Sequence, residues 1–279
     1  MTGGGGEAQL RRIGGLDDAG IDLAEAALVL ASLDRPRVSL ERYRHHLTAL
    51  VRDVAEEFPH RKRPRDELDD RFAALNAAIV ERHGYRGDED TYDDLQNANL
   101  MRVIDRRRGL PVALGILYIH AARAQGWSVA GLNFPAHFLI GLEHDGRRAI
   151  LDPFTGGRLG TANDLRDFLK AIAGNEAELT PACYTPLSNR AVLLRLQNNI
   201  KARLLGAGRI AEAVTVIERM LLFAPGLTSL WRALGLLHAE LGNLRAAVGS
   251  LERFIARTGN DAARHQAAML MQQLQAKLN

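Results

Sequence analysis

The C-terminal third of the chain repeats itself with a period of 34 residues. Shifting the sequence by that distance aligns Ile200 with Leu234 and Gly208 with Gly242. Such a period accommodates two helices and their turns, and each helix pair must bury its apolar face against a neighbouring pair. The pattern therefore predicts an all-α array over residues 188–279, with a last helix over residues 261–278 covering its end.

One segment of the array resembles the start of a tetratricopeptide repeat. It reads Trp231-Arg-Ala-Leu-Gly-Leu-Leu-His238, with histidine where tyrosine is usual. Small residues at Ala213 and Ala247 allow the two helices of each repeat to approach closely. Tetratricopeptide arrays bind peptides or partner helices in a concave groove, so the resemblance implies a protein or peptide partner.

Charge is distributed unevenly along the chain. Residues 190–279 carry 12 Lys and Arg against 5 Asp and Glu, while the other 189 residues carry 24 against 28. This difference predicts two modules with different surfaces, the basic one suited to an acidic peptide. The basic region lacks dense positive patches and a recognised reader motif, so we do not expect nucleic acid as a partner.

The sequence also indicates where the protein resides. The longest apolar run, residues 110–119, is shorter than the roughly 20 residues of a membrane-spanning helix, and the first residues lack a signal-peptide pattern. A single cysteine, Cys183, excludes a disulfide framework and a cysteine-rich zinc site. We therefore expect a cytoplasmic protein with no membrane partner.

Ahead of the array, residues 21–182 are predicted to form an α+β domain behind a flexible tail, residues 1–20. Helical spacing of apolar residues predicts a helical lobe at the N-terminal end of this domain. A basic loop within the lobe, residues 61–65, is interpreted as solvated. The predicted helices of the lobe cover residues 21–33, 40–58, 66–83 and 93–107.

An almost wholly apolar helix is predicted next, over residues 109–126. Pro111 suits its first turn and Gly126 its C-terminal end. Apolarity on every side is typical of a buried, central helix. Three strand-like runs follow, and His144-Asp-Gly146 predicts a hairpin turn between the last two. These runs cover residues 127–132, 138–143 and 148–151.

A histidine and an aspartate follow the apolar helix along the chain. A thiol acyl-transfer site needs a cysteine at a helix N-terminus, a histidine base and a carboxylate that orients the histidine. His137 lies in Phe134-Pro-Ala-His-Phe138, and Asp152 lies in Ile150-Leu-Asp-Pro-Phe154. The hairpin between them predicts that the two side chains meet.

Four motifs make the chain resemble the bacterial SirB-type proteins, which join a transglutaminase-like domain to tetratricopeptide repeats. The resemblance spans about residue 20 to the end of the chain. It implies a papain/transglutaminase-like α+β domain with a helical N-terminal lobe, followed by an all-α tetratricopeptide-repeat domain, and it implies no established reaction. The motifs are Ala31-Ser-Leu-Asp-Arg-Pro36, Arg106-Arg-Arg-Gly-Leu-Pro-Val112, Phe134-Pro-Ala-His-Phe-Leu139 and Leu151-Asp-Pro-Phe-Thr-Gly-Gly157.

The resemblance also identifies a vacant position. Active members of the transglutaminase-like superfamily open the buried helix with Gly-x-Cys, which from Gly109 places the thiol at position 111, where this chain has Pro111. Proline has no ionisable side chain. Cys183 remains as a candidate relocated nucleophile, although a lone cysteine is more often a small buried apolar residue.

Two functions are therefore favoured over a third, a nucleic-acid-associated regulator that would act through the basic C-terminal region. In the first, His137 and Asp152 are a remnant pair, and the chain is a non-catalytic binding or regulatory protein. In the second, the two residues belong to the active site of a hydrolase or acyltransferase. Its nucleophile is either relocated or is not a cysteine. No cofactor or metal is expected, because His137 has no His or Cys at ligand spacing. Arg106-Arg-Arg108 could form a solvated turn, but the resemblance suggests that one of these arginines packs against the acidic loop of residues 88–94.

Overall fold

The computed structural model describes residues 3–58 and 67–278. These residues form two compact units: Asp17–Leu196, and Gly3–Leu16 together with residues 197–278. The first contains helices and two small sheets, and the second is wholly helical, which confirms the predicted order of an α+β domain and an all-α array. The basic loop predicted at residues 61–65 lies outside the described residues. Across the described ranges, no helix is both long and apolar enough to cross a membrane.

Helix α1, Gly3–Gly14, occupies most of the segment for which the sequence predicts a flexible tail. Leu10 of this helix is fully buried, and Gly14 packs so closely on the repeat unit that a Cβ would lie 2.4 Å from the carbonyl oxygen of Leu222. The prediction is wrong for residues 3–14. The four glycines at the start of the segment suggest a mobile chain. The helix is nevertheless stabilised, because it is buried against residues more than 200 positions away.

The helical lobe of the first unit agrees with the apolar periodicity, with two differences. The third predicted helix ends in a π-helical turn, and the fourth is divided at Asn99, whose extended backbone separates a 3₁₀ turn from an α-helix and whose side chain caps the latter. The elements are α2 (Leu23–Ser32), α3 (Glu41–Glu57), α4 (Glu67–Asn76), the π turn Ala77–Arg82, the 3₁₀ turn Leu95–Ala98 and α5 (Leu100–Arg106).

The apolar segment forms the central helix of this unit, as predicted. Helix α6, Pro111–Ala124, opens with Pro111 in its first turn, where a missing N–H costs no hydrogen bond. Eleven of its fourteen residues are buried. Two short strands, β1 (Arg86–Gly87) and β2 (Arg108–Gly109), pair in parallel. The second of them ends just before this helix.

The main sheet has four antiparallel strands in the order β3-β4-β5-β6. A two-residue turn of Asp145 and Gly146, both at positive φ, joins β4 to β5 and confirms the predicted hairpin. The last strand was not predicted, because three residues are too few to show an alternating pattern. The strands are β3 (Ser128–Gly131), β4 (Ile140–His144), β5 (Arg147–Asp152) and β6 (Gly157–Leu159).

Six further helices complete the chain, and the last five confirm the predicted repeat array. Gly208 and Gly242, which the 34-residue shift aligns, both adopt positive φ in the turns between helices. Leu251 packs directly on Gly235, since a Cβ at position 235 would lie 2.8 Å from Cγ of Leu251. The helices are α7 (Ala162–Ala173), α8 (Asn189–Gly206), α9 (Ile210–Phe223), α10 (Thr228–Glu240), α11 (Leu244–Ile255) and α12 (Asp261–Ala276).

Candidate functional site

His137 and Asp152 meet, as the order of strands predicts. Nε2 of His137 lies 2.8 Å from Oδ1 of Asp152, and the side chains are 12% and 5% exposed. Asp152 ends β5, while His137 lies in the connection between β3 and β4. Because β4 and β5 are paired, with Ile140 opposite Leu151, the end of β5 lies beside the start of β4. The hairpin thus brings the two side chains together across 15 residues of sequence.

The Asp-Pro-Phe-Thr sequence that follows β5 fixes the carboxylate. Oδ1 of Asp152 also accepts a hydrogen bond from the backbone N–H of Phe154 (2.9 Å), and Oδ2 accepts one from the hydroxyl of Thr155 (3.1 Å). An aspartate that accepts from the backbone two residues ahead stabilises a tight turn. The carboxylate is therefore oriented by its own turn, and one oxygen is aimed at the imidazole.

The first turns of helix α6 pack against the chain neighbours of this pair. A Cβ on Gly115 would lie 2.4 Å from the ring of Phe138 and 3.5 Å from Pro153, the chain neighbours of His137 and Asp152. Residues four apart lie on the same side of a helix. Pro111 is thus one turn before Gly115, on the helix face that packs against the pair's neighbours, and it is buried at the helix N-terminus.

Aromatic rings surround the imidazole. The ring of His137 meets Phe168 of α7 at 5.1 Å and Phe154 at 6.2 Å, in both cases edge to face. Phe154 in turn covers Gly87, where a Cβ would lie 2.4 Å from its ring. The pair therefore lies among apolar walls that limit the access of water.

An ion pair behind β2 confirms one expectation from the sequence. Arg106 donates to Asp88 (2.6 Å) and to Asn97 (2.8 Å), so Arg106 is the arginine that packs against the acidic loop. Burial alone would raise the pKa of Asp88, but hydrogen bonds from Thr91 and Arg106 lower it to about 2. This charge network joins the acidic loop to the segment that precedes α6.

Cys183 lies in a 3₁₀ turn, Pro181–Tyr184, and is 5% exposed. Its sulfur is 3.7 Å from the hydroxyl of Thr180. The residue belongs to an apolar cluster that includes Leu132, Phe134 and Leu169. These surroundings are those of a small buried apolar side chain rather than of an activated thiol, which needs an electropositive setting.

Two features of this unit were not found from the sequence. Arg195 of α8 donates to the carbonyl oxygens of Phe134, which precedes the turn that carries the imidazole, and of His137, which ends that turn. A second histidine–carboxylate pair, His83 and Asp53, lies elsewhere in the same unit at 2.6 Å. Contacts between residues 30 to 61 positions apart leave no local pattern, so the sequence offers no signal for either.

No group of three or more His, Cys, Asp or Glu side chains suited to a metal ion occurs among residues 3–58 and 67–278. His137 and Asp152 by themselves would offer a metal ion only two ligands.

Comparison with known proteins supports the division of the chain. Residues 41–198 match the family model of the transglutaminase-like superfamily, and residues 200–275 match a tetratricopeptide repeat model. The chain is 30% identical over 244 residues to a UPF0162 protein of Vibrio cholerae, covering 87% of this chain and 88% of that one. It is 29% identical over 249 residues to a UPF0162 protein of Xylella fastidiosa, covering 86% and 85%.

A shorter similarity extends beyond bacteria. F-box only protein 21 of mouse is 31% identical over 81 residues, which cover 29% of this chain and 13% of that protein. No solved structure matches the chain significantly. The relatives from Vibrio cholerae and Xylella fastidiosa carry the UPF0162 name, so the resemblance to SirB-type proteins stays an interpretation of the sequence.

Proposed function

The chain belongs to the transglutaminase-like superfamily and to the UPF0162 proteins within it, and we propose that it is a binding or regulatory protein that carries out no thiol chemistry. The observation that carries this proposal is Pro111. It occupies the first turn of α6, on the helix face that packs against the neighbours of His137 and Asp152. The resemblance implies that active members of the superfamily have their nucleophilic cysteine at this position.

The chemical consequence follows from what a base requires. An imidazole oriented by a carboxylate accelerates acyl transfer by taking a proton from a nucleophile within hydrogen-bonding reach. Proline has no such proton, and Cys183 is enclosed by apolar side chains. The pair then serves to hold the end of β5 against the turn before β4, or to bind a ligand.

A hydrolase is the second candidate, and the pair's geometry favours it. His137 and Asp152 keep the separation of a base and its orienting carboxylate, and the imidazole is 12% exposed rather than sealed. Water could then replace the missing thiol as nucleophile. Such an enzyme would lose its activity on replacement of His137.

A turnover assay on the full chain separates the two candidates. We expect p-nitrophenyl acetate to be hydrolysed at the same rate by the wild type, by His137→Ala and by His83→Ala. On this proposal the hydrolysis is a background reaction to which only exposed histidines contribute. The His83→Ala variant is the matched control, since it removes a histidine from the second buried pair. Hydrolysis lost in His137→Ala and retained in His83→Ala would support the hydrolase instead.

The repeat unit is the proposed binding surface. Tetratricopeptide repeats commonly mediate protein–protein contacts, and residues 190–279 have a net positive charge. We propose an acidic peptide or protein segment as the ligand, bound in the groove of the repeats, in the cytoplasm. Leu236 of α10 is 43% exposed and offers a position for a photo-cross-linker in this unit.

A matched pair of cross-linking positions tests this proposal. Ile172 of α7 is 37% exposed in the other unit and serves as the control for Leu236. With p-benzoylphenylalanine at each position in turn, we expect adducts from Leu236 that weaken as salt is raised, because screening reduces attraction between charges. Adducts from Ile172 alone would move the binding function to the transglutaminase-like unit.

A further inference from the structure

The imidazole of His137 is carried by an unusual backbone turn. The N–H of His137 donates to the carbonyl oxygen of Pro135 at 2.7 Å, and Ala136 between them has φ of 59°. A three-residue turn with a positive central φ is rare and strained for a residue that has a side chain. The conformation that presents His137 to Asp152 therefore needs support from outside the turn.

Arg195 supplies that support. Nη2 of its guanidinium donates to the carbonyl oxygen of Phe134 at 2.8 Å and also to that of His137. Its guanidinium carbon lies 5.6 Å from the centre of the Phe138 ring. Phe134 immediately precedes the turn and His137 ends it, so one cation links the chain on both sides of the turn. Hydrogen bonds from a charged donor are stronger than those from a neutral one.

We propose that Arg195 is a positioning residue that fixes His137 against Asp152 through the main chain. It touches the carbonyl oxygens of the turn, and its effect on the imidazole is indirect. The inference rests on the proposed function only in taking this pair as the site, since it requires neither catalysis nor its absence. It also gives α8 a role in the site, because Arg195 lies two turns into that helix.

The test follows the proton on Nε2 of His137 by nuclear magnetic resonance in the full chain. A hydrogen bond to Asp152 slows exchange of this proton with water, and Asp152→Ala, which removes the acceptor, identifies the signal by its loss. Arg195→Met keeps the aliphatic stem and removes the donors. We expect exchange at least about tenfold faster in this variant, the factor that a hydrogen bond from a charged donor commonly contributes to an equilibrium.

The matched control is Arg203→Met on the same helix, whose guanidinium bonds to Asn199 one turn earlier. It should leave the exchange rate unchanged. An unchanged signal in folded Arg195→Met would overturn the proposal. Arg195→Lys retains the cation and should give an exchange rate between those of the wild type and Arg195→Met. If Arg195→Met does not fold, Arg195→Lys becomes the test. An exchange rate in Arg195→Lys equal to that of the wild type would then overturn the proposal.

A double-variant comparison tests the route through the turn. Glycine adopts positive φ without steric cost, so Ala136→Gly should lessen the dependence of the turn on Arg195. We expect Arg195→Met to accelerate exchange less in the Ala136→Gly background than in the wild type. Equal acceleration in both backgrounds would mean that Arg195 acts by another route, which would contradict the proposal.

Discussion

Two buried histidine–carboxylate pairs stand in the same unit with nearly the same geometry, yet their surroundings differ. Nε2 of His137 is 2.8 Å from Asp152, and Nε2 of His83 is 2.6 Å from Asp53; the side-chain exposures are 12% and 5% for the first pair and 15% and 3% for the second. By distance and burial alone, both pairs would therefore qualify as a base with its orienting carboxylate.

The other partners of each carboxylate separate them. Asp53 accepts from Arg52 (3.0 Å) and lies 3.3 Å from Arg82, so it is the centre of a charge cluster. Burial would raise the pKa of Asp53, but hydrogen bonds from His83 and Arg52 hold it below its usual value. Asp152 is instead oriented by its own turn, and its chain neighbour Pro153 packs beside Gly115 in the first turns of α6. A candidate site is thus defined by what surrounds the pair.

The largest expected effect is on stability, at the charge cluster. Asp53→Ala leaves His83 without its acceptor and removes the charge that draws Arg52 and Arg82 together, so we expect a loss of about 2–4 kcal/mol in the free energy of unfolding. Urea denaturation measures it. A loss below about 0.5 kcal/mol, the usual range for a surface substitution, would show that this pair is not structural.

Asp152→Ala should cost slightly less, about 1–3 kcal/mol, because its removal leaves the imidazole of His137 and the N–H of Phe154 without their acceptor. The same denaturation series gives the value. The comparison would fail if this variant were as stable as the wild type, since the pair would then not hold the turn together.

The smallest stability effect depends on pH and arises beside the second pair. Arg107 donates to Nε2 of His46 at 2.6 Å, and the rings of His46 and His83 are 5.3 Å apart. Burial, with the charges of Arg107 and His83, lowers the pKa of His46 from 6.5 to about 4. Because the unfolded chain binds this proton more readily, the contribution is complete above pH 6.5 and is lost as pH falls through 4.

After allowance for solvent screening, we expect the His46 contribution to be about 1–2 kcal/mol between pH 7.5 and pH 4. His46→Gln keeps an acceptor at the position of Nε2 and should flatten the stability profile over that interval. Unfolding by urea at several pH values measures both proteins. Profiles of equal slope would mean that His46 is protonated as readily in the folded chain as in the unfolded one.

How far the sequence predicts this molecule depends on the range of the contacts. Helical periodicity predicts α2, α3 and α6, and the pairing of His137 with Asp152 follows from a two-residue hairpin turn. Helix α1 was missed because its stability comes from packing on α9. Arg195 reaches His137 across 58 residues, and no local pattern records such a contact.

We propose that the chain keeps a thiol-enzyme scaffold in which Pro111 occupies the position of the nucleophile. Pro111→Cys, in a Cys183→Ala background, would install a thiol at the N-terminus of α6. On this proposal the helix dipole and the imidazole of His137 should both lower the pKa of that thiol below the usual ~8.5. The rate of iodoacetamide labelling across pH, in protein shown to be folded by circular dichroism, reports the thiolate.

We predict rapid labelling near pH 6 that slows on His137→Ala and is unchanged by His83→Ala, the matched variant of the second pair. That result would tie the thiol to one histidine–carboxylate pair and not to the other. An unreactive thiol, or one equally affected by both variants, would contradict the account, and His137 and Asp152 would then be core residues only.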